Sequence, residues 1–236
     1  MATFVQTDVG LYWGGYDLSS SFNAVGLNLG NSPQDDTVYG DTFVSHQSGL
    51  STVTLEAEGF WQSATDSVLQ SRLASDDTVL SVTPVNQSAG QPSIFTKVTS
   101  SQYKPIDSGQ VGNMLGFSLS AEGRGEKSVY GEIIVAPQVY SSSSETATIT
   151  LGAVSATQSV YSALHVTAAS GTLDVTVESA PSDWSSETTR ITHTRSSGVG
   201  AEMLSTVGAI TDTHWRVKWV ISGGGSFNFI VSLGII

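Results

Sequence analysis

The sequence predicts a mainly β chain of antiparallel character, and three observations carry that expectation. Apolar residues recur at every second position along several tracts, the period of a strand with one buried face. Gly, Asn and Ser punctuate these tracts at short intervals. Hydroxyls rather than charges solvate the surface, since the 236 residues include 38 Ser and 25 Thr but only 13% charged side chains. A hydrophobic fraction of 39% is ordinary for a folded chain and excludes disorder throughout.

The elements follow in order. Asn31 to Gln47, with Asp35, Asp36 and Asp41, reads as a polar connection. Val53, Leu55 and Ala57 then alternate with Thr54, Glu56 and Glu58. Ala64 to Ala74 departs from this period. Its Val68, Leu69 and Leu73 suit one amphipathic helix of about three turns, with Ser63 or Thr65 as N-cap and Asp76-Asp77 at its end. Pro84 to Gly112 is rich in Pro, Gly and amides and reads as a long loop, with a short strand at Ile94 to Val98. A loop that long implies a purpose.

Val129 to Val135 is apolar on both faces apart from Glu132, as in a strand covered on both sides. Pro137 and the run Ser141 to Ser144 form the best linker, dividing a 1–137 domain from a 138–236 domain. The charge divides unevenly across it, with 14 acids against 5 bases before and 7 against 4 after. Beyond it, Leu173, Val175 and Val177 alternate with polar residues, as do Trp215, Val217, Trp219 and Ile221, and then Phe227, Phe229, Val231 and Leu233. Gly223-Gly224-Gly225-Ser226 between the last two rows predicts a C-terminal hairpin.

Composition excludes several function classes. Net charge is -12 and the first base is Arg72, so a clustered Lys/Arg grip on nucleic acid phosphates is not expected. Without Cys there is no disulfide, thiolate metal site or cysteine nucleophile. Met1 to Gln6 lacks the basic and apolar parts of a secretory signal, and no apolar tract spans a bilayer, so no membrane is expected and folding in a cytoplasm is.

The search for chemistry yields little. No Gly-x-Ser-x-Gly elbow occurs, and His46, His165, His193 and His214 have no partner set by spacing. The loop aspartates do not follow a calcium-loop pattern, so neither a metal nor another cofactor is expected. Glu56 and Glu58 point the same way about 7 Å apart, as glycosidase carboxylates do, but a solvated outer face explains them equally well. Trp215 and Trp219 share the Val217 face and read as core. Trp184, between Asp183 and Ser185, is the candidate exposed platform for a ligand such as a sugar.

The first half carries a resemblance. The succession Asp17-Leu18-Ser19, Phe22-Asn23-Ala24-Val25, an acidic loop, Tyr39-Gly40-Asp41-Thr42, Ser48-Gly49-Leu50 and Thr54 to Trp61 resembles major tail proteins, the tail tube subunits of long-tailed bacteriophages. The helix at Ala64 to Ala74 falls where that pattern has one, and Met114 to Leu119 and Ser128 to Ala136 look like its closing strands. The likeness covers residues 8–137; residues 138–236 look like an added β-sandwich module on the outer surface. It implies a tail-tube-like β-sandwich or barrel with one short helix, followed by a second small sandwich. It also implies hexameric rings stacked into a tube, in a virion tail made in the host cytoplasm.

Partners would then be other copies of the chain and tail proteins such as the tape measure, tail tip and terminator, with DNA passing through without specific binding. Asp35, Asp36, Tyr39, Asp41 and His46 become inter-ring loop candidates, and Glu56, Glu58, Glu122 and Glu132 become lumen candidates. Strand edges free of Lys fit this, because pairing with neighbours turns an aggregation hazard into an assembly mechanism. The residues alone also leave open a carbohydrate-binding or adhesin β protein and a capsid decoration protein, with a carboxylate glycosidase third.

Overall fold

The computed structural model describes residues 8–40, 42–47, 49–73, 77–108, 110–194 and 196–236. They are mainly strand. In chain order come β1 (Gly10–Trp13), β2 (Tyr16–Asp17), β3 (Phe22–Asn31), β4 (Gln34–Asp35), β5 (His46–Gln47), β6 (Ser51–Phe60) and the helix α1 (Ser63–Arg72). Next are β7 (Thr78–Thr83), β8 (Pro92–Ser108), β9 (Gly116–Gly123), β10 (Val129–Tyr140), β11 (Ser144–Glu145) and β12 (Ile149–Thr150). The last four are β13 (Ser159–Ala180), β14 (Thr188–Thr192), β15 (Gly200–Val207) and β16 (His214–Ile235). The sheets are antiparallel.

The chain folds as two compact units, neither continuous in sequence. The larger comprises Met1–Ser20, Thr78–Lys97 and Val129–Ile236, and the smaller Ser21–Asp77 with Val98–Ser128. The boundary expected after residue 137 therefore falls inside a strand. β10 continues to Tyr140, and Gln138, Val139 and Tyr140 pair with Phe229, Asn228 and Phe227. Pro137 lies in a register irregularity between Val135 and Gln138, where its missing N–H is tolerated.

The larger unit is built on a ribbon of β13 and β16, paired from Val160↔Ile235 to Ala180↔His214. No C-terminal hairpin forms. Thr172 pairs with Ser222 and Ser170 with Ser226, so Gly223, Gly224 and Gly225 bulge opposite Gly171 within one strand. Gly171, Gly223 and Gly224 take φ of 95°, 81° and 67°, which glycine alone adopts without strain. A Cβ on Gly225 would stand 1.6 Å from the Ser170 carbonyl oxygen. The core beneath holds Trp215, Val217, Trp219, Phe227 and Phe229, as their phase predicts. Tyr140, Trp219 and Phe229 pack ring against ring, with centroids 4.9 to 5.8 Å apart.

The smaller unit is a sheet ordered β3-β6-β9-β8, to which β8 gives its second half. Pro84 to Gly112 is thus not one long loop, because β8 spans 17 of its residues. Leu55, Ala57, Phe117, Leu119 and Ala121 are buried on one face. Tyr103, opposite Leu119, donates its hydroxyl to Asp66 of α1 at 2.6 Å, so the helix covers this face. Gln62, not Ser63 or Thr65, is the N-cap and makes no side-chain capping bond. The Thr65 hydroxyl is buried against that of Ser21, 2.7 Å away. Asp66 in the first turn and Arg72 in the last suit the helix dipole.

Candidate functional site

The opposite face of the smaller sheet is polar. Register places Glu56 across from Gly26 and Ser120, Glu58 across from Ala24 and Ser118, and Thr54 across from Asn28 and Glu122. Cross-strand partners share a face, so the exposed carboxylates of Glu56, Glu58 and Glu122 stand together on it. Gln102 and Lys104 of β8 join through Ser120 and Ser118. Lys104 is paired with Asp107 at 3.5 Å. Glu132 stands apart from this group, half-buried on β10 of the larger unit.

β3 is the edge of the same sheet. Among the described residues it pairs with β6 and no other strand. Its ten residues, FNAVGLNLGN, contain no charge and no proline, and apart from a register irregularity between Phe22 and Ala24 none of the usual devices blunts it. Val25, Leu27 and Leu29 alternate along it on the face of Ala57, Leu55 and Val53, and Leu29 is 44% exposed.

Two connections extend from this sheet. In the first, β4 and β5 form a short ladder in which Asp35 faces His46. The Asp35 carboxylate accepts the hydroxyl and backbone N–H of Thr37, which hold it below the usual carboxylate range. Asp36 is exposed and donates its N–H to the Ser45 carbonyl at 3.1 Å; Tyr39 is fully exposed. Asp41 lies outside the described residues. Val38, Phe43, Val44 and Leu50 are also exposed, so this connection is more apolar than its aspartates suggest. The second connection, from β8 to β9, exposes Val111 and Met114, and Ile106 is exposed near the end of β8.

In the larger unit, Trp184 is half-buried and not a free platform. The Arg216 guanidinium sits 4.5 Å from its ring centroid. Arg216 also donates to Glu178 at 2.8 Å, to Glu145 at 3.0 Å and to Glu187. Sequence spacing gives no hint of this hub, which joins residues up to 71 positions apart.

A second constellation has the order of a catalytic triad. Ser162 Oγ lies 2.8 Å from His193 Nε2, and His193 Nδ1 donates to Glu202 at 3.1 Å. Hydrogen bonds from His193 and Thr194 lower the Glu202 carboxyl to about 2. Nucleophilic catalysis also requires that the hydroxyl be reached. Ser162 is fully buried between β15 and β16, so the arrangement serves to tie strands together. Among the described residues no three His, Asp or Glu side chains converge as metal ligands, and no helix is long and apolar enough to cross a membrane.

No family model matches the chain, and no curated protein does. Several solved structures are similar in strand arrangement. One is a chain from the virion of a native gene transfer agent particle, 9% identical, with 54% of this chain and 98% of that one covered at a TM-score of 0.43. Another is the SPP1 Dit protein, described as a paradigm of the hub adsorption apparatus in phages infecting Gram-positive bacteria. It is 10% identical, with 97% and 99% covered at a TM-score of 0.36. A chain of the anti-feeding prophage baseplate is 13% identical, with 55% and 97% covered at a TM-score of 0.36. Scores below 0.5 do not equate two folds, so the role of this chain is argued from its own residues.

Proposed function

We propose that this chain is a structural virion protein, a tail tube subunit whose smaller unit assembles by strand addition. The observation that carries this reading is β3, an uncharged ten-residue strand that pairs, among the described residues, with β6 and no other strand. A second copy would add a strand along β3 on the side away from β6 by offering the far edge of the same sheet, the second half of β8. Pro105 has no N–H to give, so the stretch of β8 that can accept a neighbour lies before it, on the side away from β9.

This contact is head-to-tail, and it yields a closed ring where the rotation between copies closes. The resemblance to major tail proteins supplies six as the number of copies. The α1 side of the sheet then faces outward and the face of Glu56, Glu58 and Glu122 faces the lumen. The apolar tips at Val38, Tyr39 and Phe43 are placed to meet the next ring, which gives their exposure a purpose.

Negative-stain microscopy of the purified chain tests this reading, with Leu29→Lys as comparison. Rings or tubes are expected from the native chain and none from L29K, because an inward charge on an edge forbids docking. Far-UV circular dichroism of the free L29K chain should be unchanged, since Leu29 is already 44% exposed. Particles from both chains, or from neither at high concentration, overturn the reading.

A further inference from the structure

Glu132 belongs to a second site. It lies on β10 two residues from Tyr130, so both side chains stand on one face of the strand. Together they line an open cavity of about 390 Å³ with Thr150, Leu151, Leu233 and Ile235. Two glycines let the strands close up beneath it. A Cβ on Gly131 would meet the Leu233 carbonyl oxygen at 2.0 Å, and one on Gly234 would meet Val129 Cγ1 at 2.5 Å.

The carboxylate is half-buried and, among the described residues, has no hydrogen-bond or ion-pair partner. That sets it apart within its unit. Glu178 is held by Arg216, Asp212 by Arg190, and Glu202 by His193 and Thr194. A carboxylate with no partner of its own is open to a cation brought beside it, which would make a charge-assisted hydrogen bond.

We propose that this cavity receives a basic side chain, arginine or lysine, presented by a partner protein. Leu151 and Ile235, both half-buried, offer apolar walls to the methylene stem of such a residue while its charge reaches Glu132. The Tyr130 ring, 62% exposed beside the carboxylate, adds a face that attracts cations. A chain of net charge -12 also draws a basic partner towards it. A saccharide fits less well, because it needs several convergent polar groups and the side chains here supply one carboxylate and the Thr150 and Tyr130 hydroxyls. The site rests on the larger unit alone and is independent of ring assembly.

Amide NMR of the full free chain tests this, titrated separately with N-acetyl-arginine amide, its uncharged analogue N-acetyl-citrulline amide, and methyl glucoside. The arginine compound should give saturable shifts at Gly131, Glu132 and Gly234 with a Kd on the order of millimolar. Glu132→Gln should weaken binding about tenfold and Tyr130→Ala about threefold, with the rest of each spectrum unchanged. The citrulline compound should give no saturable shift. That arm uses the native chain, so it decides the matter even where a variant fails to fold. Equal shifts from arginine and citrulline compounds, E132Q binding as well as the native chain, or saturation by the glucoside alone would each overturn the proposal.

Discussion

The two units treat their polar groups in opposite ways. In the larger unit, long-range polar ties knit the loops back onto the strands: Arg216 to Glu145, Glu178 and Glu187, Arg190 to Ser179 and Asp212, His193 to Ser162 and Glu202. The smaller unit exposes an uncharged edge in β3 and apolar side chains at Val38, Tyr39, Phe43, Val111 and Met114. Its ion pairs, Lys104 with Asp107 and Arg124 with Asp77, are solvated and contribute at most about 1 kcal/mol each. The larger unit ties most of its charged side chains to partners of its own, Glu132 apart, whereas the smaller exposes an uncharged edge strand and apolar side chains. The same chemistry of Ser, Thr and alternating aliphatics builds both. Where the partners of each group are found makes the difference.

Breaking the larger unit's internal ties should have the largest effect on stability. Arg216→Ala leaves the Glu178 carboxylate, 7% exposed, without its main partner and uncovers Trp184. Removing one member of a buried pair costs about 3 kcal/mol, which lowers Tm by roughly 10 °C in a chain of this size. Ring formation by the smaller unit should survive at temperatures below that melting. Calorimetry and microscopy on one R216A preparation check both halves. A Tm unchanged within error would mean the hub is decorative, and the contrast between the units would fail.

How much of this was legible in the sequence depended on the range of the contact that decides each feature. The outward phase of Glu56 and Glu58 follows from alternation alone, a property of neighbouring residues. That Glu122 stands with them depends on β6 and β9 register, set by partners 56 to 68 residues apart in the chain. Gly223-Gly224-Gly225 carries a turn signature, yet pairing of β16 with β13 on both sides of it makes it a bulge. Pro137 and Ser141 to Ser144 have linker composition, but strand pairing flanks both: Gln138 to Tyr140 pair with Phe227 to Phe229, and Ser144 with Trp219. Of β8, the period shows Ile94 to Val98; Pro92, Pro105 and a run of hydroxyls hide the rest, which β9 and β10 hold extended. Trp184 resembled a free platform only while Arg216, 32 positions on, was out of view.

The next effect is smaller and depends on pH. His165 is buried in the larger unit, where its Nδ1 accepts the Gly15 N–H at 3.4 Å and its Nε2–H donates to Ser81 at 2.8 Å. Burial lowers its pKa from 6.5 to about 3, so it is neutral in the fold down to that pH. The unfolded chain takes up a proton near pH 6.5 while the folded chain does not. The stabilisation is therefore complete above pH 6.5 and is lost as pH falls towards 3, at about 1.4 kcal/mol per unit. Urea midpoints at pH 7, 5.5 and 4.5 should fall faster for the native chain than for His165→Gln. Parallel falls would show that His165 is not what makes the larger unit acid-sensitive.

The smallest effect on stability belongs to the polar face of the smaller unit. Glu56 and Glu58 are exposed, so replacing both with Lys should change the stability of the free chain by no more than about 0.5 kcal/mol. It should leave ring formation intact, because neither side chain lies on the apolar face of β3. The consequence should appear only in transport. DNA carries one negative charge per ~1.7 Å of axis, and a basic wall holds it by releasing counterions. An acidic wall repels it only within about a Debye length, ~10 Å at 0.1 M salt, which keeps the duplex centred without gripping it. With Lys at both positions, DNA passage through assembled particles should slow, and slow most at low salt. Passage rates that are unchanged at every salt concentration would place the face of Glu56, Glu58 and Glu122 away from the DNA path.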